Sequence, residues 1–227
     1  DDKIDLTAMQ EDLSSYKGKT STSSPSPHEW ENAFGDADVV FCITITSTLS
    51  GTYNSAVIAK DIYEQNHAGR KVYVLDSLST GPEIALFIEK IAELIKAGFT
   101  PDDIYKTLLE YKDKTHLYFS LASLNNFAKN GRISPVIAAG IGLLGVRVVG
   151  KASDEGTLLP LDKCRGEKRA LKKLIDHLKE CGYTDGKIII AHNNNEAGAL
   201  ELKKLIENTF GTVSYTHLRA HETGRNL

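Results

Sequence analysis

The chain has 227 residues, of which 41% are hydrophobic, 25% charged and 7% aromatic. That length holds one large domain or two small ones with a full core, and the composition excludes a disordered or collagen-like chain. Lys plus Arg number 27 against 30 Asp plus Glu, a net charge of −3, which argues against a general nucleic-acid binder. No apolar run reaches the roughly 18 residues of a membrane span, and no basic start leads into an apolar signal segment. A membrane span is therefore not expected, and transient contact with a membrane surface is the most allowed. Cys42, Cys164 and Cys181 are far apart and odd in number. They form neither a disulfide framework nor a metal or redox pair, so a reducing cytoplasm is the expected compartment. The chain opens on Asp1-Asp2, with Met9 its only methionine, and is expected to be part of a longer one.

The first 27 residues are polar, and Thr20–Pro27 reads as an extended loop before a helix over His28–Phe34. Asp38–Thr46 is β-branched and apolar almost throughout, the pattern of a strand buried on both faces. After a turn at Ser47–Gly51, a helix is predicted over Thr52–Gln65, with Ala56, Ile58, Ala59 and Ile62 facing the core. Lys71–Leu75 reads as a strand, Pro82–Ala97 and Pro101–Lys112 as helices, and His116–Leu121 as a strand. The order β-α-β-α-α-β implies an open, mostly parallel sheet with crossover helices. A helix follows at Asn125–Ser134, then a Gly-rich apolar stretch, Val136–Leu144. Val146–Ala152 and Leu158–Lys163 flank Ser153-Asp154-Glu155-Gly156, a hairpin signal. A basic helix (Gly166–Glu180), a strand (Lys187–His192) and a helix (Glu196–Phe210) complete a second α/β unit with an antiparallel part.

The strongest local feature is Thr46–Thr52, between a buried strand and a helix. Ligands of open α/β sheets collect at the carboxyl ends of strands, where a helix start offers unpaired N–H groups and the positive end of its dipole. Ser47, Ser50 and Thr52 add hydroxyls there, and Gly51 permits close backbone approach. Such a place suits a carboxylate or phosphate; a plain helix cap at Ser50 or Thr52 is the alternative. The hydroxyls of Thr22–Ser26 form a second cluster, which on composition alone is a solvated turn. No nucleophile elbow, phosphate loop or dinucleotide fingerprint occupies a suitable context. Gly140–Gly145 has dinucleotide-type spacing but follows no strand, and reads as close packing. His192 at a strand end reads as structural, Arg132 as a surface residue at a helix end, and Lys163–Lys173 as a solvated helix face. No catalytic residue, metal site or cofactor is expected.

Taken together, T-S-x-P-S (Thr22–Ser26), L-S-G-T-Y-N-S-A (Leu49–Ala56), D-S-L-S (Asp76–Ser79), K-N-G-R-I-S (Lys129–Ser134) and K-C-R-G-x-K-R-A (Lys163–Ala170) resemble the DegV family in order and interval. The resemblance implies two α/β domains, the first with a mostly parallel sheet and the second with a mixed sheet and hairpin. It implies a long-chain fatty acid bound between them and presented to a fatty-acid kinase that phosphorylates the acyl carboxylate. By the same resemblance Thr22 and Ser50 hold the carboxylate, Ser23, Ser47, Gly51 and Thr52 surround it, and Arg132 lies near the head group. Ser24 stands where the family has glutamine, and Thr80–Glu83 replaces small residues. The physics agrees: a desolvated carboxylate needs charge-assisted donors, and the acyl chain needs an apolar slot, for which Val136–Leu144 is the candidate wall.

The implied domains are residues 1–126, lacking an opening strand, and 127–213, lacking a closing strand. Residues 214–227 carry no core pattern and are expected to be a non-native tail. The competing reading is a hydrolase or transferase acting on a small carboxylate or phosphate ester, with Ser50 as nucleophile.

Overall fold

A computed structural model describes residues 16, 18, 20, 22–133, 145–211 and 214–219. Among them lie seven helices and seven strands. They divide into two compact units. The first comprises Ser23–Leu117 with Lys151–Leu159; the second comprises Tyr118–Gly150 and Pro160 onward, and also takes in Thr20 and Thr22.

The first unit runs α1 (Pro27–Phe34), β1 (Val39–Thr44), α2 (Thr52–Asn66), β2 (Lys71–Asp76), α3 (Pro82–Lys96) and α4 (Pro101–Lys112). Ser26 starts α1 with a reciprocal cap, accepting from the Glu29 N–H while Glu29 accepts from the Ser26 N–H. Thr100 caps α4 ahead of Pro101. β1 and β2 pair in parallel, Val39 opposite Lys71 through Thr44 opposite Asp76, joined by α2 as a crossover. Their side chains alternate between two cores. Cys42, Val72 and Val74 pack with Phe34, Ala56, Ala59 and Tyr63 on one face. Leu75 packs with Phe87, Ile91, Leu94, Ile104 and Leu108 on the other. Helices therefore cover both faces, which is why β2 reads as a continuous apolar run.

Two expectations need correction here. Ile58 and Ile62 do not face the core; they are 51% and 38% exposed, while Tyr63 is buried. At about 100° per residue, Ala56, Ala59 and Tyr63 define one stripe, and both isoleucines fall roughly 90° or more from its centre. The small alanines let α2 lie close to the sheet, and Tyr63 fills the end, its hydroxyl meeting the carbonyls of Gly35 and Ala37 at 2.9 and 3.0 Å. The third strand also leaves the first sheet. β3 (Tyr118–Leu121) joins β4 (Val146–Ala152) and β5 (Leu158–Arg165) in a separate three-stranded sheet.

The second unit adds α5 (Asn125–Lys129), α6 (Glu167–Glu180), β6 (Lys187–His192), α7 (Glu196–Phe210) and β7 (Ser214–Arg219). α6 buries Ala170, Leu171, Leu174 and Ile175 and exposes Lys168, Arg169, Lys172 and Lys179; of the basic run expected as a helix face, Lys163 and Arg165 lie on β5 instead, and Lys173 is half-buried beside Asp162. The segment expected to lie outside the fold supplies β7, which pairs in parallel with β6 from Lys187 opposite Ser214 to His192 opposite Arg219. The predicted helix at Asn125–Ser134 stops at Lys129, and the chain turns through Gly131 at φ +70°. The apolar wall expected over Val136–Leu144 lies outside the described residues, as does all of Gly140–Gly145 except Gly145.

Candidate functional site

At the carboxyl end of β1 the chain turns through Thr46–Ser50, with the N–H groups of Leu49 and Ser50 donating to the Thr46 carbonyl. The turn after β2, Asp76–Ser79, lies beside it, and the Thr46 N–H donates to the Ser79 carbonyl at 2.8 Å. Asp76 joins the two turns. Its carboxylate accepts the Ser47 N–H at 3.2 and 3.3 Å and the Leu78 N–H at 3.1 Å. Leu78 is held at φ +52°, a conformation that costs a branched side chain about 1 kcal/mol. Within the second turn the Ser77 hydroxyl donates to the Ser79 carbonyl and accepts the Ser79 N–H, both at 3.1 Å.

Gly51, at φ −71°, is the residue preceding α2, and no side chain of its own caps the helix. The capping alternative holds in part, because the Ser50 hydroxyl takes up one N–H of the first turn. The N1 N–H of Thr52 donates to the Ser50 hydroxyl at 3.3 Å, and the Ser50 and Thr52 hydroxyls are 2.7 Å apart. The pair owns two hydroxyl protons and uses one between themselves. The other remains to be donated outward, beside first-turn N–H groups and the positive end of the dipole. Gly51 keeps the approach open: a Cβ there would stand 3.4 Å from the Ser24 hydroxyl, so the Ser23–Ser26 loop is packed against this helix start. The Ser55 hydroxyl fastens that loop by donating to the Pro25 carbonyl.

The structure therefore gathers Ser47, Ser50, Gly51 and Thr52, with Ser24, at one strand end of the first unit. Ser50 and Thr52 are half-buried, and Ser23, Ser47 and Gly51 are exposed. Thr22 and Arg132 are exposed and belong to the second unit. Just before Thr22, the Thr20 hydroxyl donates to Asn126 Oδ1, and the Thr20 carbonyl accepts from Asn130 Nδ2, both at 2.9 Å, which ties that strand of loop to α5. Arg132 Nη1 donates to the Asn130 carbonyl at 2.6 Å, across the end of the same helix. His192 is buried, and its Nδ1 accepts the Asn195 N–H at 3.2 Å, the structural role expected of it. Among the described residues no His, Cys, Asp or Glu cluster could hold a metal ion. Sequence reasoning missed Asp76, whose motif it used without giving the carboxylate a task. An acidic residue at a strand end opposite a hydroxyl-rich turn was the available signal.

A family model described as "Uncharacterised protein, DegV family" matches residues 1–223. The chain belongs to the DegV family. The match runs into the segment expected to be a tail. A DegV domain-containing protein of Streptococcus pneumoniae is 40% identical over 210 residues, covering 92% of this chain and 75% of its own. A crystal structure of a DegV family protein from Eubacterium eligens, loaded with heptadecanoic acid, superposes with a TM-score of 0.93 at 40% identity, over 97% of this chain and 80% of the other. The Fatty Acid Kinase (Fak) B3 protein of Streptococcus pneumoniae, loaded with linoleic acid, gives 0.92 at 39% identity, over 96% and 78%. The α/β architecture is that of these DegV structures. The described residues contain no helix long and apolar enough to cross a membrane.

Proposed function

We propose that this DegV protein binds a long-chain fatty acid and holds its carboxylate with the hydroxyls of Ser50 and Thr22. Ser23, Ser47, Gly51 and Thr52 border the head group, with Arg132 near it. The observation that carries this reading is the Ser50–Thr52 hydroxyl pair at the start of α2, with one proton left to donate. A carboxylate leaving water needs charge-assisted donors of this kind. The heptadecanoic and linoleic acids in the two DegV structures supply the class of carboxylate. Each buried methylene of an acyl chain contributes about 0.8 kcal/mol, so the chain supplies most of the affinity and the hydroxyls supply orientation.

The protein is a carrier. Among the described residues the Ser50 hydroxyl bonds to the Thr52 N–H and hydroxyl, and no base is paired with it. Its acyl cargo is presented to a fatty-acid kinase, a role supported by likeness to the Fak B3 protein. Three unpaired thiols suit a reducing cytoplasm.

Native mass spectrometry of protein made in bacteria should show a bound long-chain fatty acid. Ser50→Ala and Thr22→Ala should each weaken palmitate binding about tenfold, the worth of one charge-assisted hydrogen bond. Two unchanged affinities would remove the site. A wild-type protein that carries no fatty acid and takes up none on titration would remove the function.

A further inference from the structure

The loop joining β4 to β5 is built as a rigid tip. The Ser153 N–H donates to the Thr157 carbonyl at 2.9 Å, and the Gly156 N–H to the Ser153 carbonyl at 2.8 Å. The Ser153 and Thr157 hydroxyls are 2.8 Å apart, and the Thr157 N–H donates to the Ser153 hydroxyl at 3.1 Å. This tip belongs to the first unit, the one that carries Ser50. Gly156 is buried at φ +77°. A Cβ there would run into the Thr46 hydroxyl and stand 3.0 Å from Leu78 Cα and 3.1 Å from the Leu78 carbonyl oxygen. Glycine is required twice over, by backbone conformation and by close approach. The tip thus presses on both turns that Asp76 joins.

Hydrogen bonding fixes the direction of the brace. The Thr48 hydroxyl donates its one proton to the Gly156 carbonyl at 2.7 Å. In the 3.0 Å contact between the Thr46 and Thr48 hydroxyls, Thr46 must therefore be the donor. The chain of donors runs from Thr46, which is 1% exposed, through Thr48 to Gly156. The Thr46 carbonyl in turn accepts the Ser50 N–H. Through Thr48 and Thr46 the tip sets the backbone that presents the Ser50 hydroxyl.

We propose that the β4–β5 tip is a positioning device for the carboxylate site, with Thr48 and Gly156 as its positioning residues. This rests on the fatty-acid reading. It adds that discrimination of an acid from a neutral head group depends on residues that do not touch the ligand. A fixed turn rewards a charged acceptor, whereas an acyl chain is held by burial and tolerates a loose turn.

The test compares palmitate with hexadecanol, which has the same chain length and no carboxylate. Wild type should prefer palmitate. Thr48→Val, which keeps shape and loses the hydroxyl, should weaken palmitate about tenfold and leave hexadecanol within twofold. Thr48→Ser should restore the wild-type pattern, and Gly156→Ala should act like Thr48→Val. In ligand-free protein, Thr48→Val should also speed amide exchange at Ser50, with the Val72–Leu75 amides unchanged. A palmitate preference and Ser50 exchange rate left intact by Thr48→Val would overturn the proposal. So would palmitate and hexadecanol falling together with the unfolding midpoint, the mark of a merely structural defect. Wild type binding neither lipid would instead overturn the fatty-acid reading, and the Ser50 exchange rate alone would then decide whether the tip braces the turn.

Discussion

Asp76→Ala removes the carboxylate that joins the two turns of the candidate site. The Leu78 N–H is 3.1 Å from its Oδ1 in a half-buried setting, and the Ser47 N–H is exposed at 3.2 and 3.3 Å from the two oxygens. A hydrogen bond to a charged acceptor is worth about 1.5–3 kcal/mol when sheltered, and less when water competes. Counting about 1.5 for Leu78 and about 0.5 for Ser47 gives a loss of about 2 kcal/mol. Leu78 at φ +52° is then free to relax, which returns up to about 1 kcal/mol of strain and leaves a net loss of about 1–2 kcal/mol. Asp76→Asn is the milder arm. Oδ1 already faces both N–H groups, so an amide oxygen placed there keeps both bonds and loses only their charge. It should cost about 1 kcal/mol. Urea unfolding measures the stability term, and palmitate titration measures the effect on the Ser50 turn. The expected order is wild type, Asn, Ala in both assays, with at least a fivefold loss of affinity for Ala. If Asp76→Ala unfolds within about 0.5 kcal/mol of wild type and binds palmitate equally well, the carboxylate does not organise the site.

Other consequences are simpler. Ser79 is 2% exposed, and its hydroxyl has no hydrogen-bond partner among the described residues. Ser79→Ala should therefore raise stability by about 1 kcal/mol in urea unfolding of ligand-free protein, and a loss of that size would mean the hydroxyl is bonded. Burial pushes the Cys42 thiol up to about 11. A folded value above the unfolded one gives stability that is complete below the ordinary thiol range and is lost as pH rises from 9.0 to about 11, on the order of 3 kcal/mol. Cys42→Ala should flatten that part of the alkaline stability curve, and an unchanged slope would assign it to other groups. Tyr63→Phe should cost about 1 kcal/mol by removing the hydroxyl that donates to the two carbonyls and accepts from Arg70, while Ile62→Gln should stay within about 0.5 kcal/mol of wild type. The reverse order would mean that the buried face of α2 is the isoleucine face.

Elements with strong local signals were legible. Pro101–Lys112, Lys187–His192 and Glu196–Phe210 have the bounds expected from periodicity, proline starts and flanking turns. What failed had two causes, partners distant in sequence and the choice of helix face. The four residues of β3 carry no mark of which sheet they join, and only the hairpin that pairs beside them decides it. On α2 the largest aliphatic side chains drew the eye, but helix angle decides burial. Two alanines at the sheet surface and a tyrosine with two carbonyl partners outweighed two isoleucines that water can reach.

The site divides in the same way. A hydroxyl-rich turn between a buried strand and a helix is a one-dimensional signal, so Ser47, Ser50, Gly51 and Thr52 could be read directly. What holds them is not one-dimensional. Asp76 lies 29 residues beyond Ser47, and Gly156 lies 108 beyond Thr48. In sequence each looks ordinary, an acid at a strand end and a glycine in a hairpin. Neither side chain offers a hydroxyl or a positive charge to an anion, so no ligand chemistry marks them. On the proposed reading preorganisation is their work: a hydroxyl free to wander must give up conformational entropy when it binds, and that loss comes off the affinity. The hydroxyl-rich turn was therefore legible because its chemistry is local, and its supports were not because their geometry is global. Within this unit the supports are where substitutions should separate head-group recognition from acyl-chain burial.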